Sequence, residues 1–181
     1  MAGAGPGAGS RGGRALPPGA GRHPTRPPLG VLLLLLVGCS SPTPDLSPVA
    51  GALPPCPPTP NCVRSEPDTD ADHAIEPLPL PPGLAPADAL ERLAALLTED
   101  PRTTLVARGD SWLHVATRTR WLGFVDDVVV LVRSDAGRIE VRSASRVGHG
   151  DLGVNRARIE SLRAKWSSEV VPRGIEPLPA P

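Results

Sequence analysis

The sequence predicts an α+β fold, with an antiparallel sheet of about four strands packed by two helices on one face. Three observations carry that prediction. Of 25 prolines, 24 lie outside Ala87 to Trp166, where only Pro101 interrupts the chain. Two segments at the ends of that stretch repeat apolar residues at helical spacing. Between them run four strand-like segments, joined by connections short enough for antiparallel neighbours. Proline removes a backbone donor and fixes φ, so the flanks cannot be built of regular helix or sheet. The regular core is therefore residues 86–166, about 80 residues, a size at which a covalent staple helps.

The first helix is expected over Pro86 to Thr98. Pro86 suits the first helical position, Asp88 complements the positive end of the dipole, and Leu90, Leu93, Ala94 and Leu97 form one apolar stripe. Thr103 to Arg108 is a short strand. Ser111 to Thr119 alternates, with Leu113, Val115 and Thr117 on one face and Trp112, His114, Ala116 and Arg118 on the other. Phe124 to Arg133 is valine-rich and is read as the central strand. Ser134 to Gly137 turns the chain into Arg138 to Ser145, which alternates again. A second helix starts near Asn155, a good N-cap, with Val154 and Ile159 placed as a hydrophobic staple and Leu162 and Trp166 continuing the buried stripe.

The flanks read as an address. Residues 1–38 make a signal region with a disordered N-terminal extension. Its apolar run, Leu29 to Val37, is nine residues long. That is about 13 Å of helix, whereas a spanning helix needs roughly 20 residues. Leu36-Val37-Gly38-Cys39 follows and resembles the bacterial lipobox. The resemblance implies a fatty-acylated (palmitate-type) Cys39 as the new N-terminus, anchored in the membrane of a bacterial cell envelope with the domain in the periplasm or extracytoplasmic space. Residues 39–55 are read as a proline-rich tether, 56–166 as the domain, and 167–181 as a disordered tail.

Charge bounds the partners. Arg11, Arg14, Arg22 and Arg26 precede the apolar run and no acid does, so a net charge of zero for the whole chain leaves −4 from Cys39 onward. That argues against nucleic acid as a partner. In an oxidising compartment, Cys56 and Cys62 read as a disulfide closing a small loop; two free thiols or half a metal site are the alternatives. No metal or cofactor constellation is evident. Glu66, Asp68, Asp70, Asp72 and Glu76 surround His73 and are read as a solvated acidic loop.

Three segments carry candidate chemistry. Asp126 and Asp127 sit inside the valine strand, expensive to bury unless paired, and a regular strand points them to opposite faces. The expectation is that one acid faces solvent while the other caps or pairs with an arginine. Arg142, Ala144 and Arg146 share a face opposite Ser143 and Ser145; the arginines can clamp an anion or pair with the aspartates. Gly148 to Gly153, with Asp151, turns into the second helix beside Asn155 and Arg156, a loop able to cradle an anion on backbone N–H groups.

Cys56 to Val63, Phe124 to Val128 and Arg142 to Arg158 together resemble the domain-of-unknown-function 1499 family. The resemblance spans Cys56 to Trp166, with His149 where an aromatic is common. Its members are often envelope or lipoprotein-like, which agrees with the address, and the resemblance implies no activity. The favoured reading is a non-enzymatic domain binding a small anionic ligand or an envelope partner through Asp126, Asp127, Arg142, Ser143, Ser145, Arg146, Asp151, Asn155 and Arg156. A hydrolase-like enzyme with Asp127 or Asp151 as base, and a purely structural envelope protein, stay open.

Overall fold

The computed structural model describes residues 42–120 and 123–170. The apolar run, Cys39 and the C-terminal end of the tail lie outside the described residues.

The chain runs β1 (Cys62–Arg64), β2 (Leu78–Pro79), α1 (Pro86–Thr98), β3 (Thr103–Arg108), β4 (Trp112–Arg118), β5 (Val125–Arg133), β6 (Arg138–Ser145) and α2 (Val154–Val170). The fold is mixed α+β, with one six-stranded antiparallel sheet and two helices. The order is β1-β6-β5-β4-β3, and β2 also pairs with β6. The four expected strands form its body, with the valine strand β5 in the middle. The strand count was short because β1 and β2 are brief pairings flanked by proline. Their partner β6 is distant in sequence, so no local periodicity marks them.

Alternation along β4 and β6 works as read. Leu113, Val115, Val128, Val130, Val132, Ile139 and Val141 join one buried cluster with Leu90 and Leu93 of α1 and Ile159, Leu162 and Trp166 of α2. Pro86 opens α1 with Asp88 in its first turn, as expected. The α2 start differs: the helix begins at Val154, which is exposed, so no staple with Ile159 forms. It also continues to Val170, beyond the Trp166 boundary from which a disordered tail was expected.

Residues 42–55 are more than a spacer. Leu53 is buried and Leu46 packs with it against Val129 and Leu131, alternate residues of β5 that the main cluster does not use. The backbone N–H of Leu53 donates to Glu66 (2.9 Å) and its carbonyl accepts from Arg64 (2.9 Å). Where the composition suggested a free tether, two leucines among the prolines are enough to dock the segment on the sheet.

Cys56 and Cys62 form a disulfide, with Cα atoms 5.7 Å apart. It closes the loop leading into β1 and fixes Asn61, whose carbonyl accepts from the Ser145 backbone N–H at 3.0 Å.

Candidate functional site

Asp126 and Asp127 do point to opposite faces of β5, and each is only 2% exposed. Neither faces solvent, which corrects that half of the sequence expectation; both meet an arginine. Asp126 accepts from Ser145 Oγ and from Arg158 Nη2, each at 2.6 Å. Arg158 also donates to Ser143 Oγ (3.1 Å) and Asn155 Oδ1 (2.7 Å), while Ser143 Oγ donates to Asn155 Oδ1 (2.6 Å). Asn155 is fully buried, and its Nδ2 reaches the Asn61 carbonyl, Ser145 Oγ and Asp151 Oδ2. Asp126, Ser143, Ser145 and Asn155 are therefore spent on one another, tying β5, β6, the disulfide loop and α2 together.

The anion cradle is also filled from within. Asp151 Oδ1 accepts from the Gly153 N–H (2.9 Å) and Oδ2 from the Asn155 N–H (2.7 Å). Asn155 is not the N-cap; Asp151 takes the capping role. Burial pushes its carboxyl up, the Asn155 and Gly153 N–H groups pull it down harder, and its pKa ends below the ordinary range. Arg156 joins none of these groups. It donates to the carbonyls of Ala74 (2.9 Å) and Asp72 (3.2 Å).

On the other face, Asp127 takes a bidentate Arg146, with Nε and Nη2 both at 2.8 Å, and His114 Nε2 at 2.7 Å. Burial raises the Asp127 carboxyl, but Arg146 and then His114 outweigh it, so its pKa lies below the usual range. An ionised carboxylate only accepts, so His114 Nε2 is the donor in this bond. Three short bonds and a depressed pKa make Asp127 a poor general base, and the same holds for Asp151.

Arg142 stands differently from its neighbours. It is 7% exposed, makes one long bond from Nη2 to the Pro55 carbonyl (3.4 Å), and its Nε has no acceptor. Burial lowers its pKa, with Asp127 opposing and Arg64 adding to the shift. Arg64 sits directly across the β1–β6 ladder, itself engaged with Asp68 at 2.7 Å. Among the described residues no carboxylate forms an ion pair with Arg142. It helps line a cleft of about 370 Å³ together with Pro42, Leu46, Asp127, Arg146 and Val147.

The acidic loop is solvated only in part. Glu66 is 5% exposed and paired with Arg133 at 2.9 Å. His73 is also buried, between the Thr59 carbonyl (3.1 Å) and Asp70 (2.8 Å); the Thr59 bond raises its pKa first, burial opposes, and Asp70 adds. Glu140, fully buried, pairs with Arg138 at 2.6 Å. Among the described residues no group of three or more His, Cys, Asp or Glu side chains can hold a metal ion, and no helix is long and apolar enough to cross a membrane.

Sequence reasoning did not name His114, Arg158, Asn61 or Glu66 as partners. The Arg158 signal was present, since Asn155 and Arg158 are one helical turn apart. For His114, alternation supplied the face but not the register that sets it beside Asp127.

No curated protein and no solved structure matches the chain. A family model does, over residues 52–166, under the description "Protein of unknown function (DUF1499)". It includes Leu53 and both cysteines of the disulfide, together with every strand of the sheet, so the chain belongs to the DUF1499 family of proteins of unknown function.

Proposed function

We propose that this chain is a membrane-anchored envelope lipoprotein, acylated at Cys39, whose domain binds a small anionic ligand without transforming it. Both helices are read as covering one face of the sheet, because their buried residues share a cluster with alternate residues of β4, β5 and β6. That leaves, on the other face, the part around Asp127, Arg142 and Arg146 beside the docked segment 42–55 for the ligand. The observation that carries the reading is Arg142: a buried guanidinium with an unsatisfied Nε, no ion-pair partner among the described residues, and a cleft in front of it. Retaining an uncompensated buried charge is destabilising unless something neutralises it. A carboxylate or phosphate matches a guanidinium fork in shape and charge. Arg146 and Asp127 hold each other at the rim, and Ser145 and Asn155 act as framework.

Thermal unfolding of the full chain with millimolar inorganic phosphate or acetate, against chloride at equal ionic strength, tests the ligand reading. A ligand that binds only the folded state raises Tm. The rise is expected in the native protein and absent in Arg142→Met. Equal shifts in both, or none in either, would leave the purely structural reading. The address is tested by fatty-acid labelling in cells, which Cys39→Ser should abolish.

A further inference from the structure

Most large apolar side chains of this domain are buried, yet four exposed ones gather at one end of the sheet. Phe124 precedes β5, Val147 follows β6, Leu152 precedes α2 and Val154 opens it; all four border one shallow depression. They are 43, 40, 104 and 45% exposed. Leu152 is held with φ at 55°, a left-handed backbone that L-residues avoid, so the turn projects a leucine fully into solvent. A contiguous exposed apolar patch is the mark of a contact surface.

The chain enters the domain at the same end. Arg146 Nη1 donates to Thr43 Oγ1 at 3.3 Å, and Pro42 shares a cleft with Val147. Because residues 42–55 are docked on the sheet, they do not serve as slack. Cys39 lies only three residues before Pro42. An extended chain advances at most about 3.6 Å per residue, so the three-residue link from Pro42 back to Cys39 can reach about 11 Å at most. Arg118, exposed, borders the same cleft as Thr43, positive charge suited to anionic headgroups.

We infer that Phe124, Val147, Leu152 and Val154 seat on the lipid surface that holds the Cys39 anchor, so that the domain rests on the bilayer end-on. This rests on the acylation reading above. The occupant is lipid because the leash is too short to carry this end far from the bilayer.

The test uses the full, processed chain reconstituted in vesicles of phosphatidylethanolamine and phosphatidylglycerol that contain nitroxide-labelled lipid. With Cys39 blocked by acylation and Cys56 bonded to Cys62, a cysteine placed by Leu152→Cys is the free thiol for an environment-sensitive fluorophore. Asp135→Cys places the same probe at the exposed β5–β6 turn, about 25 Å away along the strands. Both positions are exposed, so neither substitution threatens the fold. The expected result is a blue-shifted probe at 152, quenched several-fold more strongly than at 135. Intact mass is measured on the same samples. An acylated chain with equally weak quenching at both positions overturns the seating and leaves the anchor standing. A chain without the acyl mass removes the anchor, and the seating with it.

Discussion

Asp126 and Asp127 are adjacent in sequence, equally buried, and each paired with an arginine, yet the two faces of β5 treat charge differently. Around Asp126, the hydroxyls of Ser143 and Ser145, the Asn155 amide and the Arg158 guanidinium complete one another, and Asp151 closes the turn beside them. Around Asp127 the pairing with Arg146 and His114 is as tight, but Arg142 and Arg64 stand side by side with an unsatisfied Nε on each. Like charges opposed across a ladder are destabilising. The first face is arranged as a closed structural network, where satisfied polar groups specify one packing. The second places a buried guanidinium, Arg142, beside a cleft with no ion-pair partner among the described residues. The same short motif thus meets two different surroundings, and only the neighbours tell them apart.

The contrast can be broken by substitution, and the largest effect should fall on the closed face. Asp126→Ala leaves the mostly buried Arg158 uncompensated and strips Ser145 of its acceptor. Urea denaturation should show a loss of about 3–5 kcal/mol. A loss below about 1 kcal/mol would mean that the network contributes little. Next comes the loop that presents Asn61 to that network. Reducing Cys56–Cys62, or the paired Cys→Ser change, should cost about 2 kcal/mol from loop entropy, read as a lower midpoint in denaturant. Asp151→Ala removes the cap of α2 and should cost about 1 kcal/mol.

On the other face the effect is one of pH. The Asp127 pKa is depressed in the folded state, so its contribution is complete above the unfolded value of about 3.9 and fades as pH falls through the folded value. Asp127→Asn should flatten the stability profile below about pH 4; an unchanged acid limb would show that Arg146 does not hold the carboxylate ionised. The smallest change in stability is expected from Arg142→Met, which keeps the stem and removes the charge. It should be neutral or slightly stabilising, by about 0–1 kcal/mol. A marked destabilisation would place Arg142 among the structural residues and close the gap between the two faces.

How much of this was legible follows from the range of each interaction. α1, the four main strands and the buried residues of α2 follow from periods of 3.6 and 2, which are local. The opposite facing of Asp126 and Asp127 follows from the same alternation. Register is not local: nothing near His114 says that Asp127 will lie beside it, and nothing near Cys62 says that Ala144 will be its neighbour. The docking of Leu46 and Leu53 was hidden because proline dominates the composition there, while packing is decided by two leucines. The loop before α2 had the right glycines for an anion, but Asp151 is itself the anion, and a one-dimensional pattern does not show which carboxylate folds back.

Strand β6 has one more consequence, for the order in which the chain can fold. It sits between β5 and β1, so the first strand to be made has no strand partner until the last one follows, some 75 residues later. Until then the local bridge between Arg64 and Ala74 is its backbone pairing among the described residues. The Cys56–Cys62 ring spans only six positions and needs no strand to close. It can form before β6 is in place, leaving a preshaped end that waits for β6 to arrive.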